Sequence, residues 1–297
     1  MSISNLNMEI QDNAISTIVP EDALVEEVGS GFGFTEGPVW CGDCLLFSDI
    51  PNNRIVRWRM LYNGPEVTTF RTPSGNSNGL TLDRSGRLIA CEHSLRRVTR
   101  TEPDGTITVL ADHYEGKRLN SPNDVVVRSD GSIYFTDPPY GLAGLTAWKE
   151  LPFNGVYRLS PDGELILLAD DFDRPNGLGF SPDEQVLYVC DTARGHIRAF
   201  DVSPDGSVSN GRIFIDMRAP EPGAPDGMKV DREGNVYCTG PGGFWIISPE
   251  GKCLAKVRPP ELPANLAWGD ADMKSLYMTA RTGLYRVRLN IAGVSLY

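Results

Sequence analysis

No apolar run in the chain approaches the ~20 residues that cross a bilayer as a helix. The opening segment, MSISNLNMEIQDNAIS, has neither the basic stretch nor the apolar stretch of a secretory leader. A cytoplasmic protein is therefore expected, with the periplasm left open because a removed leader would leave the same sequence. Histidine is scarce, with three in 297 residues (His93, His113 and His196). GxSxG, HExxH and phosphate-loop signatures are missing, so serine-hydrolase, zincin and nucleotide-binding readings have no support. Positive charge is in deficit: 28 Lys and Arg against 39 Asp and Glu leave a net charge of −11. An acidic surface attracts neither nucleic acid nor anionic membrane, so neither is expected as a partner, whereas a cation fits. Cysteine is too sparse for a disulfide scaffold in a chain this long. Cys41 and Cys44 form a lone CxxC across an expected hairpin turn and are read as two thiols near that turn.

What the sequence does have is a repeat. Six short strand-like segments recur: LLFSD (45–49), LIACE (88–92), IYFTD (133–137), LYVCD (187–191), VYCTG (236–240) and LYMTA (276–280). Their fourth residues are all small, and four of the six fifth residues are acidic (Asp49, Glu92, Asp137, Asp191). Twelve to fourteen residues before each small residue stands one polar residue: Glu36, Asn78, Asn123, Asn176, Asp226 and Asn265. Turns such as DRSG, RSDG and DREG separate the two strands of a unit, and PDG or PEG follows an aromatic-rich third strand. Six units of four antiparallel strands, with markers 39 to 53 residues apart, predict an all-β, six-bladed β-propeller around a central channel. A single propeller domain over residues 1–297 is expected, with 1–22 as an N-terminal extension. Residues 23–29 are expected to close the ring by pairing with GLYRVRL (283–289), beyond which IAGVSLY offers only a weak fourth strand.

First strands line a propeller's channel, so the six markers converge on one axis. They are one Glu, one Asp and four Asn, a set of hard oxygen donors suited to a divalent cation such as calcium. Zinc and copper sites favour His and Cys, which the ring lacks. An isolated Asn-Gly signals a turn, but six markers in register, one of them Glu, are poorly explained by turns.

The chain resembles the gluconolactonase and regucalcin family of six-bladed propellers. The segments FTEGPVW (34–40), LNSPNDVVV (119–127), DRPNGLGFSPD (173–183) and PDGMKVDREGNVY (225–237) carry the likeness, and FTDPPYG (135–141) resembles the bacterial gluconolactonase-type branch. The resemblance implies that Glu36, Asn176 and Asp226 bind one divalent cation, most simply Ca2+, with Zn2+, Mn2+ and Mg2+ as alternatives. It places Asn123 in the same site, either on the metal or beside it. Animal regucalcins carry a substrate-binding Arg where this chain has Ser121, which weakens the transfer of substrate more than that of metal.

A cation with open positions can polarise a carbonyl and activate water, which suits ester or lactone hydrolysis. Asp226 is the candidate general base, with a role as ligand alone as the other reading. Asn123, Ser121, His93, Asn78 and Tyr140 are candidate substrate contacts, and Tyr140 and Trp148 are possible sugar-stacking groups on a lid formed by 138–154. The expected reaction is metal-dependent hydrolysis of a sugar lactone such as gluconolactone, the small-molecule partner. A phosphotriesterase or arylesterase with the same metal, or a non-catalytic calcium-binding propeller, are the alternatives. The number of copies in the assembly is not legible.

Overall fold

The computed structural model describes residues 2–142 and 148–295. Residues 143–147 of the expected lid, and 296–297 of the IAGVSLY end, lie outside the described residues.

The second strands of the six units are Leu45–Asp49, Leu88–Glu92, Ile133–Asp137, Val186–Asp191, Val236–Gly240 and Ser275–Ala280. Successive side chains of a strand point to opposite faces, and a blade inside a ring has a neighbour against each face. Both faces must then be apolar. Leu45 and Phe47 pack with Ala267, Tyr277 and Leu284 of blade 6, whereas Leu46 packs with Leu80, Leu82, Leu88 and Ala90 of blade 2. The same division recurs around the molecule and yields an apolar cluster at each junction between blades. The result is a six-bladed β-propeller of antiparallel blades.

The inner strands are Thr35–Trp40, Ser77–Leu82, Val125–Val127, Pro175–Phe180, Met228–Val230 and Asn265–Gly269. Blade 6 takes its fourth strand from the other end of the chain: Leu24–Ser30 runs antiparallel to Gly283–Arg288, with Gly283 opposite Ser30. Residues before this strand form two further edge strands. Asn7–Ile10 pairs with the outer strand Cys253–Arg258 of blade 5, and Ile3–Asn5 pairs with Leu24–Ser30. A short helix, Ile15–Ile18, buries both isoleucines in the cluster between blades 5 and 6. These segments cover backbone edges that would otherwise stand open. At the far ends of the inner strands, Val294 N donates to Val230 O (3.2 Å), so the end of the chain crosses to blade 5 rather than adding a strand to blade 6.

Cys41 and Cys44, read from the sequence as two thiols near a turn with their bonding left open, form a disulfide. The cause is local: Cys41 N donates to Cys44 O at 2.8 Å, bringing the Cα atoms to 5.4 Å, within disulfide reach. Among the described residues no helix is long and apolar enough to cross a membrane.

Candidate metal and catalytic site in the channel

Glu36, Asn78, Asn176 and Asn265 lie in their inner strands, and Asn123 and Asp226 stand two residues before theirs. The glycines that follow several markers serve close approach rather than a turn. A Cβ on Gly37 would fall 2.0 Å from Asn78 O, and one on Gly177 would fall 2.1 Å from Asp226 O. The bare backbone lets adjacent blades bond to each other at the level of the markers: Gly79 N donates to Asn123 O (2.7 Å) and Gly177 N to Asp226 O (3.1 Å). The small fourth residues complete this belt. Ser48 Oγ donates to Asn78 O (2.7 Å) and Thr136 Oγ1 to Asn176 O (2.8 Å).

Three of the four acidic fifth residues brace the loops that present the markers, whereas Glu92 accepts from Arg71, Arg97 and Thr99 instead. Asp49 accepts from Gly33 N (3.0 Å), Asp137 from Asn120 N (2.6 Å), and Asp191 from Asp173 N (2.9 Å) and Arg174 N (3.1 Å). Each braced residue lies two or three positions before Glu36, Asn123 or Asn176.

Above this belt the side chains form a directional relay. Asn78 Nδ2 donates to Asn123 Oδ1 (2.7 Å), Asn123 Nδ2 to Asn176 Oδ1 (2.5 Å), and Asn176 Nδ2 to Thr192 Oγ1 (3.0 Å). Thr192 Oγ1 in turn donates to Pro225 O (2.6 Å), next to Asp226. Asn123 Oδ1 also lies 3.2 Å from His93 Nε2, so both its lone pairs are engaged. Asn176 Oδ1 has one lone pair left, which makes it the better direct ligand. On the other side of the channel, Asn265 Nδ2 donates to Glu36 Oε2 (3.0 Å) and Asp124 Oδ2 (3.4 Å), while Lys229 Nζ reaches Asn265 Oδ1 (3.4 Å).

Three carboxyls thus share one channel. Burial, and then the nearby Asp124, push the Glu36 carboxyl up to about 7. Burial, then Glu36 and Asp124, raise that of Asp226, and burial raises that of Asp124. Lys229 works in the opposite direction on Glu36 and Asp124. Carboxyls that repel one another among amide oxygens make a donor set that a hard divalent cation satisfies. Among the described residues no group of three or more His, Cys, Asp and Glu side chains is arranged to hold a metal. A cation here would therefore depend on the asparagine oxygens, and the residues present fit such a cation.

Residues 34–282 match the SMP-30/Gluconolactonase/LRE-like region. The chain belongs to this family. It is 34% identical to the gluconolactonase of Zymomonas mobilis, over 94% of this chain and 85% of the relative. It is 31% identical to the pentonolactonase XacC of Haloferax volcanii, over 84% and 81%. Its fold superposes on the solved structure of a gluconolactonase from Xanthomonas campestris with a TM-score of 0.88 at 35% identity, covering 97% of this chain and 98% of that one.

Within this member of the family, the remaining candidates divide. Asn78 is buried in the relay beside Asn123. His93 is buried too, and burial lowers its pKa to about 4 against the opposing hydrogen bond to Asn123 Oδ1, so the imidazole is neutral. Ser121 is fully buried and its hydroxyl is engaged: it donates to Pro138 O (2.6 Å) and accepts from Gly141 N (2.8 Å). That pair pins the DPPYG loop to the channel rim. The Tyr140 hydroxyl is buried close to the Thr192 and Asn176 side chains without a well-formed hydrogen bond to either. Burial, and the Asp226 charge with it, raise its pKa and keep it a proton donor. Trp148 is largely exposed. A cleft of about 410 Å³ opens beside Asp226 and Thr192, between Phe34, Leu262 and Arg281.

Sequence reasoning missed Thr192, Asp124 and Lys229. Two of them left a signal: Asp124 stands where most blades have glycine after the marker, and Lys229 is a charge inside a channel-lining strand.

Proposed function

We propose that this chain hydrolyses sugar lactones with the help of one divalent cation, calcium by preference, held by Glu36, Asn176 and Asp226 with Asn123 beside them. The observation that supports this most is the convergence of three carboxyls, two buried and one half-buried, and the Asn123 and Asn176 amides on one channel, in a member of a family that includes a gluconolactonase and a pentonolactonase. When bound, such a cation polarises the lactone carbonyl and stabilises the charge that builds on its oxygen.

The protein's own groups do the rest. Asp226, half-buried and open to the cleft, takes a proton from the attacking water as the water oxygen bonds to the carbonyl carbon. The ring C–O bond then breaks, and that proton passes to the departing ring oxygen to give the open hydroxy acid. A carboxyl held above its ordinary pKa is a better match for this transfer near neutral pH than an exposed one. Tyr140, its hydroxyl beside Thr192 and Asn176, is placed to donate to a substrate oxygen rather than merely to stack on a ring. Asn123 and Asn78 offer further polar contact, while His93 orients Asn123.

The test is a screen of the purified protein against gluconolactone, a pentonolactone, an aryl ester and a phosphotriester, with calcium, zinc, manganese and magnesium added in turn to chelated enzyme. Metal-restored turnover of a lactone is expected. Turnover of the phosphotriester alone, or of none of the four, would overturn the proposal.

A further inference from the structure

The cleft beside Asp226 has an arginine in its lining, next to a channel whose own charged side chains are mostly carboxyls. Asp226 sits at the inner end of the cleft, and Arg281 lines its rim with Phe34, Leu262 and Thr282. The Arg281 backbone is fixed: its carbonyl accepts from Thr35 N (2.8 Å) and Thr35 Oγ1 (3.2 Å), directly beside Glu36. Arg174 lies over the Tyr140 ring at 5.7 Å, and its carbonyl accepts from Thr192 N (3.0 Å), a residue of the cleft wall. Both arginines are exposed, and among the described residues neither guanidinium pairs with a carboxylate. Many other arginines here do pair, Arg54, Arg71, Arg97 and Arg286 among them. Glu261, the nearby acid at the rim, is already engaged by Thr282 and by Tyr285.

A neutral sugar offers guanidinium groups that lack a carboxylate partner only the uncharged hydrogen bonds that water also offers. An anionic group offers each of them charge-assisted, paired hydrogen bonds. On a chain with a net charge of −11, local positive charge at the mouth is also what lets an anion approach. We propose that the preferred substrate is a lactone bearing an anionic group, a carboxylate or a phosphate, at the end remote from the reacting carbonyl, and that Arg281 and Arg174 receive it. This rests on the lactonase reading above and narrows its substrate class.

The experiment compares gluconolactone with glucarolactone, which adds a terminal carboxylate, and with phosphogluconolactone, on calcium-loaded wild type, Arg281→Gln and Arg174→Gln. Wild type is expected to favour at least one anionic lactone by about tenfold in kcat/KM, mainly through KM, with the better anion naming the source. Each variant should lose most of that preference and keep its rate on gluconolactone, and raised salt should erode the preference in wild type. Equal kcat/KM for neutral and anionic lactones, or variants that slow all three substrates alike, would overturn it. Failure of wild type on every lactone would instead sink the lactonase reading.

Discussion

Asn176 owes its orientation to Thr192, whose hydroxyl takes the amide hydrogen and leaves Oδ1 facing Asn123 and the channel. A group that fixes a ligand in this way typically contributes 10–100-fold in metal affinity. Thr192→Val should therefore weaken calcium binding by about that factor, and Thr192→Ser should restore it. Calorimetric titration decides the matter, and unchanged affinity in the valine variant would remove Thr192 from the site. Glu36 sets the pH response. Its carboxyl is held at about 7 against an ordinary 4.5 by burial and then Asp124, so the metal-free fold favours the protonated form. That stabilisation is complete below pH 4.5 and is lost as pH rises through about 7. Chelated protein should lose thermal stability over this interval, while a cation, which takes the carboxylate, should raise Tm most at its upper end. Melting curves of chelated wild type and Glu36→Gln across pH test this, and identical slopes would contradict it.

Among the elements, the N-terminal strands do more than extend the chain. Asn7–Ile10 and Ile3–Asn5 cover the edges of blades 5 and 6, and Ile15 and Ile18 are 3% and 2% exposed. Burying one such side chain is worth about 1.5–3 kcal/mol. Removal of residues 1–22 should lower Tm markedly and promote association through the opened edges. A truncated protein that melts with wild type and stays monodisperse would show that the clasp is dispensable. These strands were not legible beforehand, because they are short, their exposed residues include Ile3 and Ile10, and the partner of Asn7–Ile10 lies near the opposite end of the chain. The second strands were legible for the contrary reason: burial on both faces leaves a nearly continuous apolar run that repeats six times. The Cys41–Cys44 bond fell between these cases, since the CxxC and its turn were visible but the separation of the two Cα atoms, which decides whether the thiols can bond, was not.

At the scale of the molecule, the candidate site exists only when the ring is closed, because Glu36, Asn123, Asn176 and Asp226 come from four blades. The polar markers were legible through their register. Thr192 was not, because its role comes from the approach of neighbouring blades, and Asp124 and Lys229 left only the local signals of a missing glycine and a charge in an inner strand. A cation present at 100 times its Kd should stabilise the ring by about 2.7 kcal/mol. Chelation should accordingly lower Tm by several degrees, and Asn176→Ala should abolish the difference. A preparation shown to contain metal whose Tm ignored the chelator would count against a metal shared between blades.

The most direct test of the account is the rate of lactone opening by Asp226→Asn at saturating calcium, with bound metal measured in the same sample. The substitution keeps one oxygen for the cation and removes the basic group, and general-base catalysis is commonly worth about 10²–10⁴-fold. The account predicts a fall in kcat within that range with calcium still bound. A variant that binds calcium and opens gluconolactone at the wild-type rate would contradict it.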